Sequence, residues 1–225
     1  QINGYSDTAF SLGLIDMKTR DNLVTLQNQF ISQVQAKNYS VASSIFDYVG
    51  DLLSNLTTNT TWIDLENYRN SSIFENDLSD WLNDPKIKNY YGADPNATWV
   101  DFVNAIYYDF YSDISQSYIS NLSFILSQKI YDIKVVIYNG QDDVLVNSNG
   151  VERYLPYINW SNIPQFLAAK KQIWRDTNGY VIGSYKHYDK LTYVTVNKAG
   201  HSVPADQPWS ARDMLRRFIK NIWDK

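Results

Sequence analysis

The chain has 225 residues, a formal net charge of −4 and 44% hydrophobic side chains. That length accommodates one large domain, or one domain with an insertion, and the apolar content excludes global disorder. A pI of about 5.1 argues against a nucleic-acid partner, which requires a basic patch, and no apolar run reaches the roughly 18 residues that a membrane-spanning helix needs.

Residues 1–56 read as helical. Thr19 is expected to cap a helix whose apolar face is Leu23, Leu26, Phe30 and Val34. Ser40 is expected to cap a second, carrying Val41, Ile45, Phe46, Val49, Leu52 and Leu53, so the two predict a helical hairpin. Residues 57–100 are rich in Asn, Asp, Ser and Thr and predict loops with short helices, one starting at Asp84-Pro85. Residues 101–130 show the spacing of one or two helices, with Phe102, Ile106, Tyr107, Phe110 and Tyr111 on one side.

From about residue 131 the pattern is α/β. Val135, Val136 and Ile137 form the continuous apolar run expected of a strand buried on both faces. Asp189-Lys190 separates the runs Tyr180–Tyr188 and Leu191–Val196, which predicts a hairpin or two adjacent strands. Asp206 is expected to cap a final helix with Pro208 in its first turn. The sheet-facing side of that helix would be Met214, Leu215, Phe218, Ile219, Ile222 and Trp223.

Cysteine is absent, which by itself says nothing of compartment. Seven residues begin Asn-x-Ser/Thr without an intervening proline: Asn38, Asn55, Asn59, Asn70, Asn96, Asn121 and Asn159. About three would arise by composition, so the excess points toward a glycosylated, secretory protein. Asn55, Asn59 and Asn70, in the polar stretch, are the sites most expected to be modified. Gln1-Ile2-Asn3-Gly4 has neither a basic nor an apolar leader segment, so a secretory signal would lie on sequence outside these residues.

Two turns carry chemistry. Lys134–Tyr138 runs into Asn139-Gly140-Gln141-Asp142-Asp143, and Leu191–Val196 runs toward Ala199-Gly200-His201-Ser202-Val203-Pro204. An acid at one strand end, followed downstream by a histidine at another, is the second half of the Ser…Asp…His order of α/β-hydrolases. Such a histidine takes the proton from serine and returns it to the leaving amine, which requires an oriented ring where loops meet over a sheet. The orienting acid is Asp142 or Asp143. His187 lies mid-strand and reads as an exposed strand position. No Gly-x-Ser-x-Gly occurs in the 225 residues.

The wording of both turns resembles the serine carboxypeptidase family. Its acid turn, Tyr-x-Gly-x-x-Asp, is matched by Tyr138, Gly140 and Asp143. Its histidine turn, Gly-His-x-Val-Pro-x-Asp-x-Pro, is matched from Gly200 to Pro208. Trp81-Leu82-Asn83-Asp84-Pro85-Lys86-Ile87 is similar to the family's Leu-Asn-x-Pro-x-Val stretch. The resemblance implies an α/β chain: the C-terminal part of an α/β-hydrolase fold with a helical cap insertion. Residues 1–130 would form the cap region and 131–225 the core.

It implies further that Asp143 orients His201, with Asp142 a solvated turn residue. Ser202 would lie beside the pocket for the departing amino acid, and Asp206, though part of the motif, would be a helix cap. The implied activity is release of C-terminal amino acids from peptides through an acyl-enzyme, with no metal or cofactor, in a lysosomal or secreted protein. The nucleophile, its oxyanion donors and the groups that grip the substrate carboxylate lie upstream in the family. The expected partner is therefore the N-terminal half of the same precursor, separated just before Gln1. It would be held non-covalently because the chain has no cysteine, and a homodimer is a further expectation. Family members usually carry cysteines in this half, and Phe102 stands where one is common, so the stapling of the cap differs. Two other readings stand beside this one: a catalytically incomplete binding or stabilising protein, and an acyltransferase on the same scaffold.

Overall fold

The structure, a computed structural model, describes residues 2–56, 64–69 and 78–223. After a short 3₁₀ turn come α1 (Tyr5–Ser11), α2 (Met17–Gln35) and α3 (Tyr39–Leu56), then α4 (Ser79–Asn83) and α5 (Pro85–Tyr91). The expected helical pair is present, with its first cap moved. The α2 N-cap is Asp16 in extended backbone, whose carboxylate accepts the Thr19 amide at 2.8 Å. Thr19 is therefore the donor that is capped, not the cap. In α3 the helix likewise starts earlier than Ser40, the Ala42 amide already bonding to the Asn38 carbonyl. The pair packs through Leu23 on α2 and Val49 and Leu53 on α3, against Tyr5 and Ala9 of α1. Asp84 caps α5 over Pro85, accepting the Lys86 amide, as the Asp-Pro pair predicts.

The run 101–130 breaks into α6 (Asn104–Asp109), α7 (Tyr111–Ile114) and α8 (Ile119–Ser127). The aromatic side expected there is largely exposed: Phe102, Ile106 and Phe110 face outward. Tyr107 and Tyr111 both donate to Asp47 on α3, which ties this segment to the helical pair.

The sheet follows. Strands β1 (Val135–Gly140), β2 (Gln172–Arg175), β3 (Val181–Tyr188) and β4 (Leu191–Val196) lie in the order β1-β4-β3-β2. Between β1 and β2 come α9 (Ser148–Tyr154) and α10 (Ile163–Ala168); after β4 come α11 (Val203–Asp206) and α12 (Pro208–Lys220). Strand β1 is parallel to β4, while β3 is antiparallel to β4 and to β2. The β3–β4 hairpin turns at Asp189-Lys190, with Asp189 at φ 51°. Strand β2 was not legible in the sequence: Trp174 is its single buried residue, so no alternation marks it.

Strand β4 is the centre of the core. Its period of two sends Leu191 and Tyr193 to one face, against Leu126, Val151, Leu155, Ile158 and Phe166. Val194 and Val196 go to the other, against Trp174, Met214 and Trp223. The run Val135–Ile137 departs from expectation: these residues are half-buried, because β1 pairs only with β4 and no described strand covers its other edge. On α12, Met214, Phe218 and, just past the helix, Trp223 pack inward, but Leu215 and Ile219 are exposed, so the buried stripe is narrower than the pattern predicts.

Candidate active site

Parallel pairing of β1 and β4 sets the site. Gly140 stands opposite Val196, so the two strands end side by side and both turns emerge at the same edge of the sheet. The turns then interlock: the Gln141 amide donates to the Val196 carbonyl and the Asp142 amide to the Ala199 carbonyl, at 2.9 and 2.8 Å. Gly140 is required here, since a Cβ would meet the Ala199 and Gly200 carbonyl oxygens at about 2.2 Å.

Within this frame His201 Nδ1 lies 3.1 Å from Asp143 Oδ2. The other carboxylate oxygen of Asp143 accepts the Val146 amide at 2.8 Å, which holds the acid in place through its own loop. Asp143 is buried and His201 is 41% exposed, so the ring reaches outward from a fixed, desolvated acid. Burial raises the Asp143 carboxyl above the ordinary range, and the Val146 amide and His201 partly offset it. With Nδ1 engaged, Nε2 is the nitrogen left to exchange a proton with a reacting group.

Asp142 differs from the expected solvated turn residue. It is buried, and Oδ1 has no hydrogen-bond partner among the described residues. Arg69 approaches Oδ2 at 3.7 Å from a half-exposed position. Burial raises the Asp142 carboxyl, with Arg69 opposing and Asp206 adding to the shift. A carboxyl raised in the folded state favours folding below its unfolded value, and that contribution is lost as pH rises through the folded value. Asp142→Asn should therefore stabilise the protein at pH 7, by on the order of 2–4 °C in melting temperature if it recovers about 1 kcal/mol. The gain should vanish as pH falls through the raised value. Thermal melts of both proteins from pH 4 to 8 check this, and a loss of stability at pH 7 would refute it.

Asp206 also departs from its expected role. The N-cap of α12 is Gln207, with no side-chain cap bond, while Asp206 is the last residue of α11. Its Oδ2 instead accepts the Gly200 amide at 2.6 Å and Asn67 Nδ2 at 2.9 Å. The short segment 64–69 threads between the two turns. The Glu66 carbonyl accepts the His201 amide at 2.7 Å, Leu65 accepts from Val144 and Leu145, and the Tyr68 amide donates to Asp142. Sequence reading placed this segment among polar loops. Its composition carries little signal, because apart from the Asn67 and Arg69 side chains its bonds run through its backbone.

Ser202 is exposed beside His201, and its carbonyl accepts the Ala205 and Asp206 amides at the start of α11. His187 is half-buried on β3 rather than exposed, its Nδ1 2.7 Å from Thr192 Oγ1. Among the described residues no group of three or more His, Asp or Glu side chains could hold a metal ion. Of the Asn-x-Ser/Thr positions, Asn38, Asn55, Asn96, Asn121 and Asn159 are exposed; Asn59 and Asn70 lie outside the described residues.

Comparison with known proteins agrees with the turns. The chain is 30% identical over 227 residues to a probable serine carboxypeptidase CPVL of Dictyostelium discoideum, covering 98% of this chain and 44% of that protein. It is 28% identical over 225 residues to the venom serine carboxypeptidase of Apis mellifera, covering 96% and 47%. The chain thus spans about half the length of the curated relatives it matches. The crystal structure of Kex1Δp, a prohormone-processing carboxypeptidase from Saccharomyces cerevisiae, superposes with a TM-score of 0.79 at 19% identity. That superposition covers 98% of this chain and 52% of the other, and it shows that the fold is that of an α/β-hydrolase. A sequence profile described as serine carboxypeptidase matches residues 1–221, and the chain belongs to the serine carboxypeptidase family.

Proposed function

We propose that this chain contributes the orienting acid, Asp143, and the general base, His201, of a serine-type carboxypeptidase. The observation that carries the reading is the 3.1 Å contact between His201 Nδ1 and a buried Asp143 fixed by the Val146 amide. The nucleophilic serine is supplied by sequence outside these residues. Its Oγ attacks the last peptide carbonyl, His201 Nε2 takes the Oγ proton, and the departing amino acid receives that proton as the C–N bond breaks. Water then attacks the acyl-enzyme through the same histidine, and the serine leaves with its proton restored. No cofactor is needed for either half of the cycle.

The upstream half of the same precursor is the proposed partner, seated on the uncovered edge of β1. Residues 1–130 act as the cap region over the core of 131–225. Ser202, exposed next to His201, borders the site of the departing residue. A lysosomal or secreted location fits the exposed Asn-x-Ser/Thr positions, and an unchanged mass after enzymatic deglycosylation of protein from its native source would count against it.

The test is an assay of the complete protein on an N-blocked dipeptide. Release of the free C-terminal amino acid, together with stoichiometric fluorophosphonate labelling of one serine outside residues 1–225, is expected. Labelling without release, with transfer to an added alcohol instead, would assign an acyltransferase. No labelling at all would leave a binding or stabilising protein.

A further inference from the structure

His201 is held through its main chain as well as through its ring. Its own amide is bonded to the Glu66 carbonyl, and the preceding Gly200 amide to Asp206 Oδ2. The same oxygen of Asp206 accepts Asn67 Nδ2, and Asn67 is buried, with its Oδ1 taking the Arg69 amide at 3.2 Å. Gly200 is pressed onto this segment so closely that a Cβ would meet the Glu66 carbonyl oxygen at 2.2 Å and the Asn67 Cβ at 2.6 Å. The histidine turn is thus clamped to a segment far away in sequence, and that segment is bonded in turn to the carbonyl of Asp142, next to the orienting acid.

We propose that Asp206 and Asn67 are positioning residues that set the ring of His201 against Asp143, acting through the Gly200 amide. This inference rests on the catalytic reading above and names the groups that make its geometry reproducible. The chemistry is specific. Oδ2 of Asp206 is a single acceptor shared by two donors, one from each side of the clamp. Without it, the Gly200 amide is left without its acceptor and Asn67 is free to leave its place, so the histidine turn can drift. A misplacement of about 1 Å at a general base can cost on the order of a hundredfold in rate.

The experiment uses the complete protein and three variants. Asp206→Ala removes the shared acceptor; Asn67→Ala removes one of its donors; Asp206→Asn retains an amide oxygen able to accept both bonds. We expect Asp206→Ala to lower kcat about 10–100-fold with KM within threefold, Asn67→Ala to lower it about 3–10-fold, and Asp206→Asn to stay within about threefold of wild type. In parallel, ¹H–¹⁵N spectra of ring-labelled histidine report the downfield Nδ1 proton of His201, assigned by its loss in His201→Gln. That signal should be lost or broadened in Asp206→Ala, weakened in Asn67→Ala and kept in Asp206→Asn, while the His187 signals stay put in all three. The spectroscopic arm stands even where the wild-type protein releases no amino acid, so failure of the catalytic reading is distinguishable from failure of this one. Should Asp206→Ala prove unfolded, Asn67→Ala decides. An unchanged His201 signal and kcat in folded Asn67→Ala or Asp206→Ala overturns the proposal. So does an equal loss in Asp206→Asn, which would mean that charge, not the shared acceptor, is what matters.

Discussion

In the complete protein, Asp143→Asn and His201→Ala should each lower kcat by on the order of a thousandfold or more, as members of a unit in which losing one part disables the rest. Asp143→Asn is the sharper of the two. An amide at this position can still accept the Val146 amide through its oxygen, so the loop survives. Its nitrogen would then face His201 Nδ1 as a donor and impose the wrong ring tautomer, with no negative charge left to stabilise the imidazolium. Asp142→Asn should stay within a few-fold of wild type, because Asp142 meets the histidine turn through its backbone amide and its side chain points to Arg69. Steady-state kinetics on a blocked dipeptide checks all three. Equal and mild losses at Asp142 and Asp143 would show that the 3.1 Å contact is not the one used in catalysis.

Residues 1–225 expressed alone should give insoluble or molten material, and co-expression with the upstream half should rescue a soluble complex. In the described structure the outer edge of β1 has no strand beside it, and Val135, Val136 and Ile137 are only half-buried. The chain leading into β1 and the strand itself also expose apolar side chains: Ile130, Tyr131 and Tyr138 are all exposed, Ile130 at 84%. Fully burying a side chain of this kind contributes about 1.5–3 kcal/mol, so leaving several in water removes much of the ~5–15 kcal/mol that holds an ordinary domain together. An open parallel edge with unpaired amides and carbonyls also templates aggregation. Size-exclusion chromatography and a thermal melt of the isolated chain read this directly. A monomer with a single cooperative transition would overturn it.

How much of this was legible in advance depends on whether the determining interaction is local. The helical pair, the Asp84-Pro85 start, the Asp189-Lys190 turn and the strand Leu191–Val196 are products of apolar pattern and turn chemistry, and each lies where its residues predict. His201 and Asp143 were singled out by the resemblance of their two turns to a known family, since local pattern alone left Asp142 and Asp143 as alternatives; the structure puts Asp143 3.1 Å from the ring. The α2 cap was missed by three residues because Asp16 and Thr19 are both capping types and only the backbone angles at Asp16 decide between them. Asp142 was misplaced for a different reason. Alternation along a turn does not say which of two adjacent acids is covered, and here the cover comes from segment 64–69, which is distant in sequence.

The chain's own order of residues therefore determined the element types apart from β2, the acid and histidine turns and the family. Those depend on patterns within about ten residues. Tertiary structure alone decided that β1 lies parallel beside β4 in the register Gly140↔Val196, that Asp206 braces the Gly200 amide instead of capping α12, and that residues 64–69 bridge the two turns. These depend on backbone donors and acceptors brought together from three places in the chain. Every residue type but proline carries the same amide and carbonyl, so the backbone pairings leave no mark on the sequence, and the one side-chain acceptor, Asp206, gives no sign of which distant amide it will meet.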